Sequence, residues 1–420
     1  MIQIKTISNL NSADMLKKAM HVAACYGFDP IEKIVLEQKK RPAMSSHTGQ
    51  AGHDNDTGKK KSLIQKISKQ DIKDLRKDLL SDEIVSTLQQ AAEYDLLPSQ
   101  QPILICRNSI GAESNKIKKE ALRFSLMAIG MNKSIAEALI LKTAYAILDD
   151  IGIGEIQVYI NSIGDKDSMQ KFARELNSYL RKNADSLPAH VRHYIMKKDI
   201  FNAYEELYMR HHPLEGEIPQ SIRFLSDKSR KHLSEVLEYL ETGDIPYEID
   251  NSLIGNGDLY SQTFFEIRHA GKAHNDKMSI LAKGGRSEEI SKRIFRHDMP
   301  TVAIVFEFEK KGIKKKELNT LKRARKPKVY FIQLGYEAKL KSLYLIDALR
   351  RANVPLYHNL NNDKFCEQLA FAKHLGVPCS IIMGHREALD GTVIVRDMNT
   401  QFQNTVLVDE LPAYLKERNI

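Results

Sequence analysis

Lys328-Val-Tyr-Phe-Ile-Gln-Leu-Gly335 is a short apolar run halted by a glycine, the pattern of a buried strand and its turn. The residues behind it repeat that pattern. Tyr336 to Arg351 has helical spacing, Val354-Pro-Leu-Tyr357 is a second strand, and Asp363 to Leu375 is a second helix. Gly376 follows that helix, where a left-handed stop is usual. Cys379-Ser-Ile-Ile-Met-Gly384 is a third strand. Thr392-Val-Ile-Val-Arg396 and Asn404-Thr-Val-Leu-Val408 close the unit, with a last helix from Asp409. Strand–helix alternation at this spacing predicts an α/β domain over 328–420 with a partly parallel sheet.

Working outward, residues 310–327 form a basic linker. Between Lys310 and Lys328 there are ten Lys/Arg and a single acid, Glu317. Such a run is either a solvated junction or a phosphate contact, since clustered positive charge favours a phosphate backbone through counterion release. Before it, residues 247–309 are strand-rich: Leu253-Ile254, Thr263-Phe-Phe-Glu-Ile267, Met278-Ser-Ile-Leu-Ala282 and Val302-Ala-Ile-Val-Phe-Glu-Phe308. Residues 166–246 are mostly helical, with breaks at Pro188, Pro213 and Pro219. In residues 1–165 the spacing predicts helices over Ala13–Gly27 and Ile135–Asp150. Strands are expected over Ile31–Glu37 and Glu155–Ile160, the second ending in a turn at Asn161-Ser-Ile-Gly164. Residues 38–77 are a basic, polar insertion; Pro42 to Gly58 has almost nothing to bury.

Composition narrows the class. In 420 residues, 42% are apolar and 28% charged, the balance of a globular chain. No apolar run is long enough for a membrane span. The N-terminus lacks the order of a signal peptide. Cys25, Cys106, Cys366 and Cys379 are far apart and form no CxxC pair, which fits a reducing cytoplasm. His211-His212 and His269/His274 lack a second ligand at metal spacing, so no metal is assigned. No P-loop, dinucleotide fingerprint or nucleophile elbow is present. The net charge of +9 permits an acidic partner without requiring one.

The C-terminal unit resembles the anticodon-binding domain of class II aminoacyl-tRNA synthetases, of the histidyl-tRNA synthetase family in particular. The strand ending at Gly335, the helix Lys364–Val377, the strand reaching Met383-Gly384 and the hairpin Asp390-Gly-Thr-Val-Ile-Val-Arg-Asp397 carry the resemblance. Upstream, Ala24-Cys-Tyr-Gly-Phe28 leading to Leu36-Glu37 resembles motif 1, and Glu93-Tyr-Asp-Leu-Leu97 the approach to motif 2. Tyr159-Ile-Asn-Ser-Ile-Gly164 resembles the L-N-S-L/I-G signature. Leu253 to Ile267 resembles R-G-L-D-Y-Y-x-x-T-x-F-E, Gly284-Gly285-Arg286 resembles G-G-R-Y-D, and Met299-Pro-Thr-Val-Ala303 the start of motif 3. The resemblance implies an α+β class II fold: an antiparallel sheet with a helical insertion, followed by an α/β anticodon-binding domain.

Several family positions differ. Adenylation needs fixed cations around a charged α-phosphate. No F-R-x-E stands in motif 2, where Arg107 is the candidate; in motif 3 the glycine and arginine of G-x-x-R become Glu307 and Lys310. Lysine keeps the charge but loses the planar fork. The R-P-E-G-T loop falls near Leu80-Ser-Asp-Glu-Ile84, the motif 2 strand begins at Arg123, the arginine of R-G-L-D-Y-Y is Gly255 and its first tyrosine Leu259; the tyrosine of G-G-R-Y-D is Ser287. Asp258, Tyr260, Thr263 and Glu266 remain as remnants of a substrate pocket. Arg286 is a further catalytic candidate, although Gly284-Gly285-Arg286 also suits a plain strand-end turn. Lys314, Lys315, Lys316, Lys322, Arg323 and Arg325 are the RNA-binding candidates. The expected protein is a cytoplasmic, catalytically degenerate homodimer that binds tRNA or another structured RNA. It would pair through an apolar face of Ala19, Val22, Ala23 and Ile34. The alternatives are a working histidine–tRNA ligase, which alone would need ATP and Mg, and a protein-interaction or regulatory subunit without an RNA role.

Overall fold

The computed structural model describes residues 12–40, 69–94, 96, 102–111, 121–209, 213–269, 279–309, 327–418 and 420. The first body runs α1 (Ser12–Cys25), β1 (Asp29–Pro30), α2 (Ile31–Lys40), α3 (Lys69–Leu75), α4 (Leu79–Glu93), β2 (Ile103–Gly111), β3 (Ala121–Ile129), α5 (Ile135–Ile151) and β4 (Ile156–Gly164). Helices α6 (Lys166–Lys182), α7 (Ala189–Met196), α8 (Ile200–Met209) and α9 (Asp227–Thr242) follow. The chain then returns to β5 (Tyr247–Ile249), β6 (Ser261–His269), β7 (Ser279–Arg286), α10 (Glu289–Phe295) and β8 (Thr301–Glu309). These eight strands form one sheet in the order β1-β2-β3-β8-β7-β6-β4-β5; only the outer pairs β1/β2 and β4/β5 are parallel.

Alternation along the strands sorts the core onto two faces. On the back face, Leu122, Phe124, Leu126, Ile304, Phe306, Phe265 and Ile267 bury with α1, α5 and α9. On the front face, Ile103, Ile105, Met127, Ile129, Ala303, Val305 and Phe264 bury with α4 and α10. The insertion has a core of its own, built on Phe172, Leu176, Val191 and Tyr204.

The second body runs β9 (Val329–Gln333), α11 (Tyr336–Arg351), β10 (Leu356–His358), α12 (Phe365–Leu375), β11 (Cys379–Met383), α13 (His385–Asp390), β12 (Thr392–Asp397), β13 (Gln403–Leu407) and α14 (Leu411–Glu417). Its sheet order is β10-β9-β11-β12-β13, parallel for the first three strands and antiparallel for the last two, in keeping with the partly parallel sheet that the sequence predicts. Gly376 ends α12 at φ 64°.

Five expectations change. Ile31–Glu37 lies in a helix, because Ile31, Ile34 and Val35 repeat at three and four residues rather than alternating. Leu253-Ile254 is a turn: Asp250 accepts from the Ser252 amide at 2.9 Å and Gly255 takes φ 58°. The Asn161–Gly164 segment stays in β4, with a register shift between Ser162 and Gly164. Gly284 and Gly285 lie inside β7, where a Cβ on Gly284 would meet the Phe265 ring at 2.3 Å. Finally, Ala19, Val22 and Ala23 are buried within the chain, in the core that α1 shares with α5, so that face is already covered. Most of the polar insertion, residues 41–68, lies outside the described residues; its end forms α3.

The two bodies share the back-face core, where α11 packs on α1, α5 and α9. Polar contacts fix the junction. The Tyr26 hydroxyl donates to Asp347 at 2.9 Å, and Arg350 donates to Asp347 at 2.8 Å and to Asp150 at 2.9 Å. His358 Nε2 meets the Tyr26 carbonyl oxygen at 3.0 Å, and Gly27 (φ 85°) leaves room for the ring. The residue keeps a partly exposed edge, but its Nδ1 is enclosed without a partner. Burial pushes the imidazole down to about 4 from its ordinary 6.5, and the Tyr26 bond opposes this only in part. The unfolded chain therefore takes up this proton first as pH falls. The stabilisation is complete above about 6.5 and is lost on the way down to 4, at most about 3 kcal/mol. Chemical denaturation of the native protein and of His358→Asn between pH 7 and 4.5 checks this: the variant should lose less stability on acidification than the native chain.

Candidate functional site

The front face carries the charged groups where the sequence places a catalytic centre. Antiparallel register sets Arg107 of β2 opposite Ser125, Ser109 opposite Arg123, and Arg123 opposite Glu307 of β8. All lie on the face covered by α4. Helix α4 begins with a capping box: Asp78 accepts from the Ser81 amide at 2.8 Å and Ser81 Oγ accepts from the Asp78 amide at 2.9 Å. That start fixes Asp82 and Glu83 in the first turn, while Ile84, Val85, Leu88 and Ala91 bury against the sheet.

The two carboxylates meet the arginines. Arg107 donates to Glu83 at 2.9 Å, and Ser109 Oγ also donates to Glu83. Arg123 donates to Asp82 at 3.3 Å, lies 3.8 Å from Glu83, and reaches Glu307 at 3.5 Å. Arg76 closes the rim by donating to Asp82 and, at 3.0 Å, to Gln89. Three arginines thus face three carboxylates. A second group is balanced in the same way: Arg268 pairs with Asp250 at 2.8 Å and Glu266 at 2.9 Å, and Lys283 with Glu266 at 3.3 Å. Arg268 also stacks over Tyr159, and Lys283 over Phe264.

Of the four pocket remnants, two face this side. Glu266 joins the second group. Tyr260 is buried, its hydroxyl donating to Asp78 at 2.7 Å; burial, and then the Asp78 charge, hold it protonated. Asp258 is exposed. Thr263 turns to the back face and donates to Glu137 at 3.0 Å. Arg286 is on the back face too. It donates to Glu137 through Nε at 2.7 Å and Nη2 at 2.6 Å, and to the carbonyls of Met131 and Lys133. Burial would raise the Glu137 pKa, but Arg286 and His232, the latter at 2.9 Å, hold it well below the carboxylate range. Arg286 therefore does not join Arg107 and Arg123 in one cluster. Lys310, Lys314, Lys315, Lys316, Lys322, Arg323 and Arg325 lie outside the described residues. Among the described residues, no three His, Cys, Asp or Glu side chains are grouped to hold a metal.

Sequence reasoning missed Asp82, Glu83, Glu137, Arg268 and Lys283 as site residues. The signal for the first two was present. Asp78-x-x-Ser81 followed by Ile84, Val85, Leu88 and Ala91 is a helix start and its apolar stripe.

A six-stranded antiparallel core with a helical insertion, followed by a five-stranded α/β unit, is the architecture of a class II synthetase catalytic domain joined to an anticodon-binding domain. The family model described as "Anticodon binding domain" matches residues 328–418. The histidine–tRNA ligase of Acholeplasma laidlawii is 27% identical over 313 residues, covering 71% of this chain and 71% of that protein. The histidine–tRNA ligase of Fervidobacterium nodosum is 26% identical over 307 residues, 70% of each. The apo histidyl-tRNA synthetase of S. aureus superposes with a TM-score of 0.43 at 19% identity, covering 80% of this chain and 82% of that one. The chain is thus similar to histidine–tRNA ligases over about 70% of its length, and its C-terminal body matches an anticodon binding domain. No helix among the described residues is long and apolar enough to cross a membrane.

Proposed function

We propose that this chain is a catalytically degenerate member of the histidyl-tRNA synthetase family: a cytoplasmic, homodimeric protein that binds tRNA or another structured RNA without charging it. One observation carries the reading. Arg107 and Arg123, on the face where the resemblance puts a catalytic centre, are paired with Asp82, Glu83 and Glu307. A transition state that gathers negative charge gains little from cations that are neutralised beforehand. The RNA part rests on the matched anticodon-binding domain and on the basic run that precedes it in sequence.

Fluorescence anisotropy with labelled tRNA over a salt series tests the RNA part. Log affinity should fall against log salt by about 0.7–0.9 per phosphate contact. Changing Lys314, Lys315, Lys316, Lys322, Arg323 and Arg325 together to alanine should flatten that slope and weaken all RNAs alike. An intact protein that binds no tRNA at low salt would instead favour the protein-interaction reading.

A further inference from the structure

Asn161-Ser-Ile-Gly164 takes no part in the charged groups of the front face. It lies where β4 hands the chain to the helical insertion, and it bonds to the turn Ser221–Phe224, by which the chain comes back. Asn161 donates to Ser221 Oγ at 3.2 Å, and Ser221 Oγ donates to the Ser162 carbonyl at 2.8 Å. Ser162 Oγ donates to the Gln262 carbonyl of β6 at 2.6 Å. The Asn251 carbonyl accepts from Tyr204 of α8 at 2.6 Å and from Asn161 at 3.4 Å. Gly164, at φ 71°, has no room for a side chain: a Cβ would meet the Ser168 Cβ at 2.6 Å and Leu225 at 2.8 Å. The outgoing and returning segments are therefore closed on each other.

The two helices that start at these crossings, α6 and α9, share their caps. Asp165 caps α6 by accepting from the Ser168 amide at 2.9 Å, and Ser226 caps α9 by accepting from the Ser229 amide at 3.2 Å. In a capping box the side chain at the third helical position accepts from the cap amide of its own helix. Here those side chains are exchanged. The Asp165 amide donates to Ser229 Oγ of α9 at 3.0 Å, and the Ser226 amide donates to Ser168 Oγ of α6 at 2.8 Å. Ser226 Oγ also donates to Asp165 at 2.6 Å, and Ser168 and Ser229 are buried. Burial would raise the Asp165 pKa, but these hydrogen bonds, that from Ser226 foremost, hold it down at about 2.

An insertion joined to a sheet by two chain segments can rock about them. Rocking here would break three bonds between the helix starts at once: Ser226 Oγ to Asp165 and the two exchanged amide bonds. We propose that Asn161–Gly164, Asp165, Ser168, Ser226 and Ser229 form a clamp at the base of the insertion, whose two halves open and close only together. Closed, it holds the insertion in one orientation. Open, it frees the insertion without unfolding it, because the insertion has a core of its own. Lys171, Arg174, Arg181 and Lys182 are exposed on α6, so the clamp also sets where that charge points. It acts whether or not the chain binds RNA.

Amide-resolved hydrogen exchange of the full chain over a urea series tests the proposal. In the native chain the Asp165 and Ser226 amides are expected to share one opening free energy, below that of global unfolding. Ser229→Ala lies on α9, yet it should speed exchange of the Asp165 amide at the start of α6 by about tenfold, the size of change that one lost hydrogen bond gives. Ser168→Ala, on α6, should do the same to the Ser226 amide at the start of α9. The double variant should lose less stability than the two single losses summed, because the first substitution already loosens both halves. Unequal opening free energies in the native chain, or opening of both amides only by global unfolding, would overturn the clamp. Effects confined to the helix that carries the substitution, with stability losses that add, would also overturn it and leave two independent caps.

Discussion

Glu137→Ala is expected to destabilise the protein by about 3–5 kcal/mol, because it leaves the buried Arg286 guanidinium with only the half-exposed Glu288, 3.9 Å away, as a counter-charge. Arg286 is 1% exposed. The Met131 and Lys133 carbonyls would still accept from it, but a carbonyl dipole does not neutralise a full charge. Thr263 and His232 would lose the same acceptor. The pair itself contributes much less than this number, since two charges lose their hydration when buried. The double variant Glu137→Leu with Arg286→Met should therefore recover most of the loss. Urea unfolding of the native chain and both variants measures it. A loss below about 1 kcal/mol for Glu137→Ala would show that the guanidinium finds water or another anion, and would end the structural role of Arg286.

That role explains how much of the site could be read from the sequence. The second body was legible almost throughout, because its strands are short, apolar and separated by helices with clear stops such as Gly376. The front and back faces of the large sheet were not. Arg286 and Thr263 sit in segments that resemble a catalytic pocket, yet the alternation of β6 and β7 turns both toward α5. A motif match gives position along a strand and leaves the face undecided, and one residue of register reverses it. Helix α2 is easily taken for a strand in sequence because its four apolar residues, Ile31, Ile34, Val35 and Leu36, form a run too short for the helical period to stand out. Asp82 and Glu83 escape notice when their segment is compared with a loop. Their capping box and the stripe behind it make them part of a helix.

The largest expected effect is the absence of adenylation. Removing one well-placed charge donor from such a site costs about 2.7–4 kcal/mol, a factor of roughly 10²–10³ in rate. In this chain Arg107 and Arg123 are both engaged by α4 carboxylates, and Glu307 of β8 stands opposite Arg123 and pairs with it. Two such losses together would take the reaction below detection. Histidine-dependent exchange of labelled pyrophosphate into ATP by the purified chain tests this most directly. No incorporation above a no-histidine blank is expected, in protein shown to be folded by its cooperative melt. Robust exchange that disappears on Arg107→Ala would contradict the account and make the chain a working ligase.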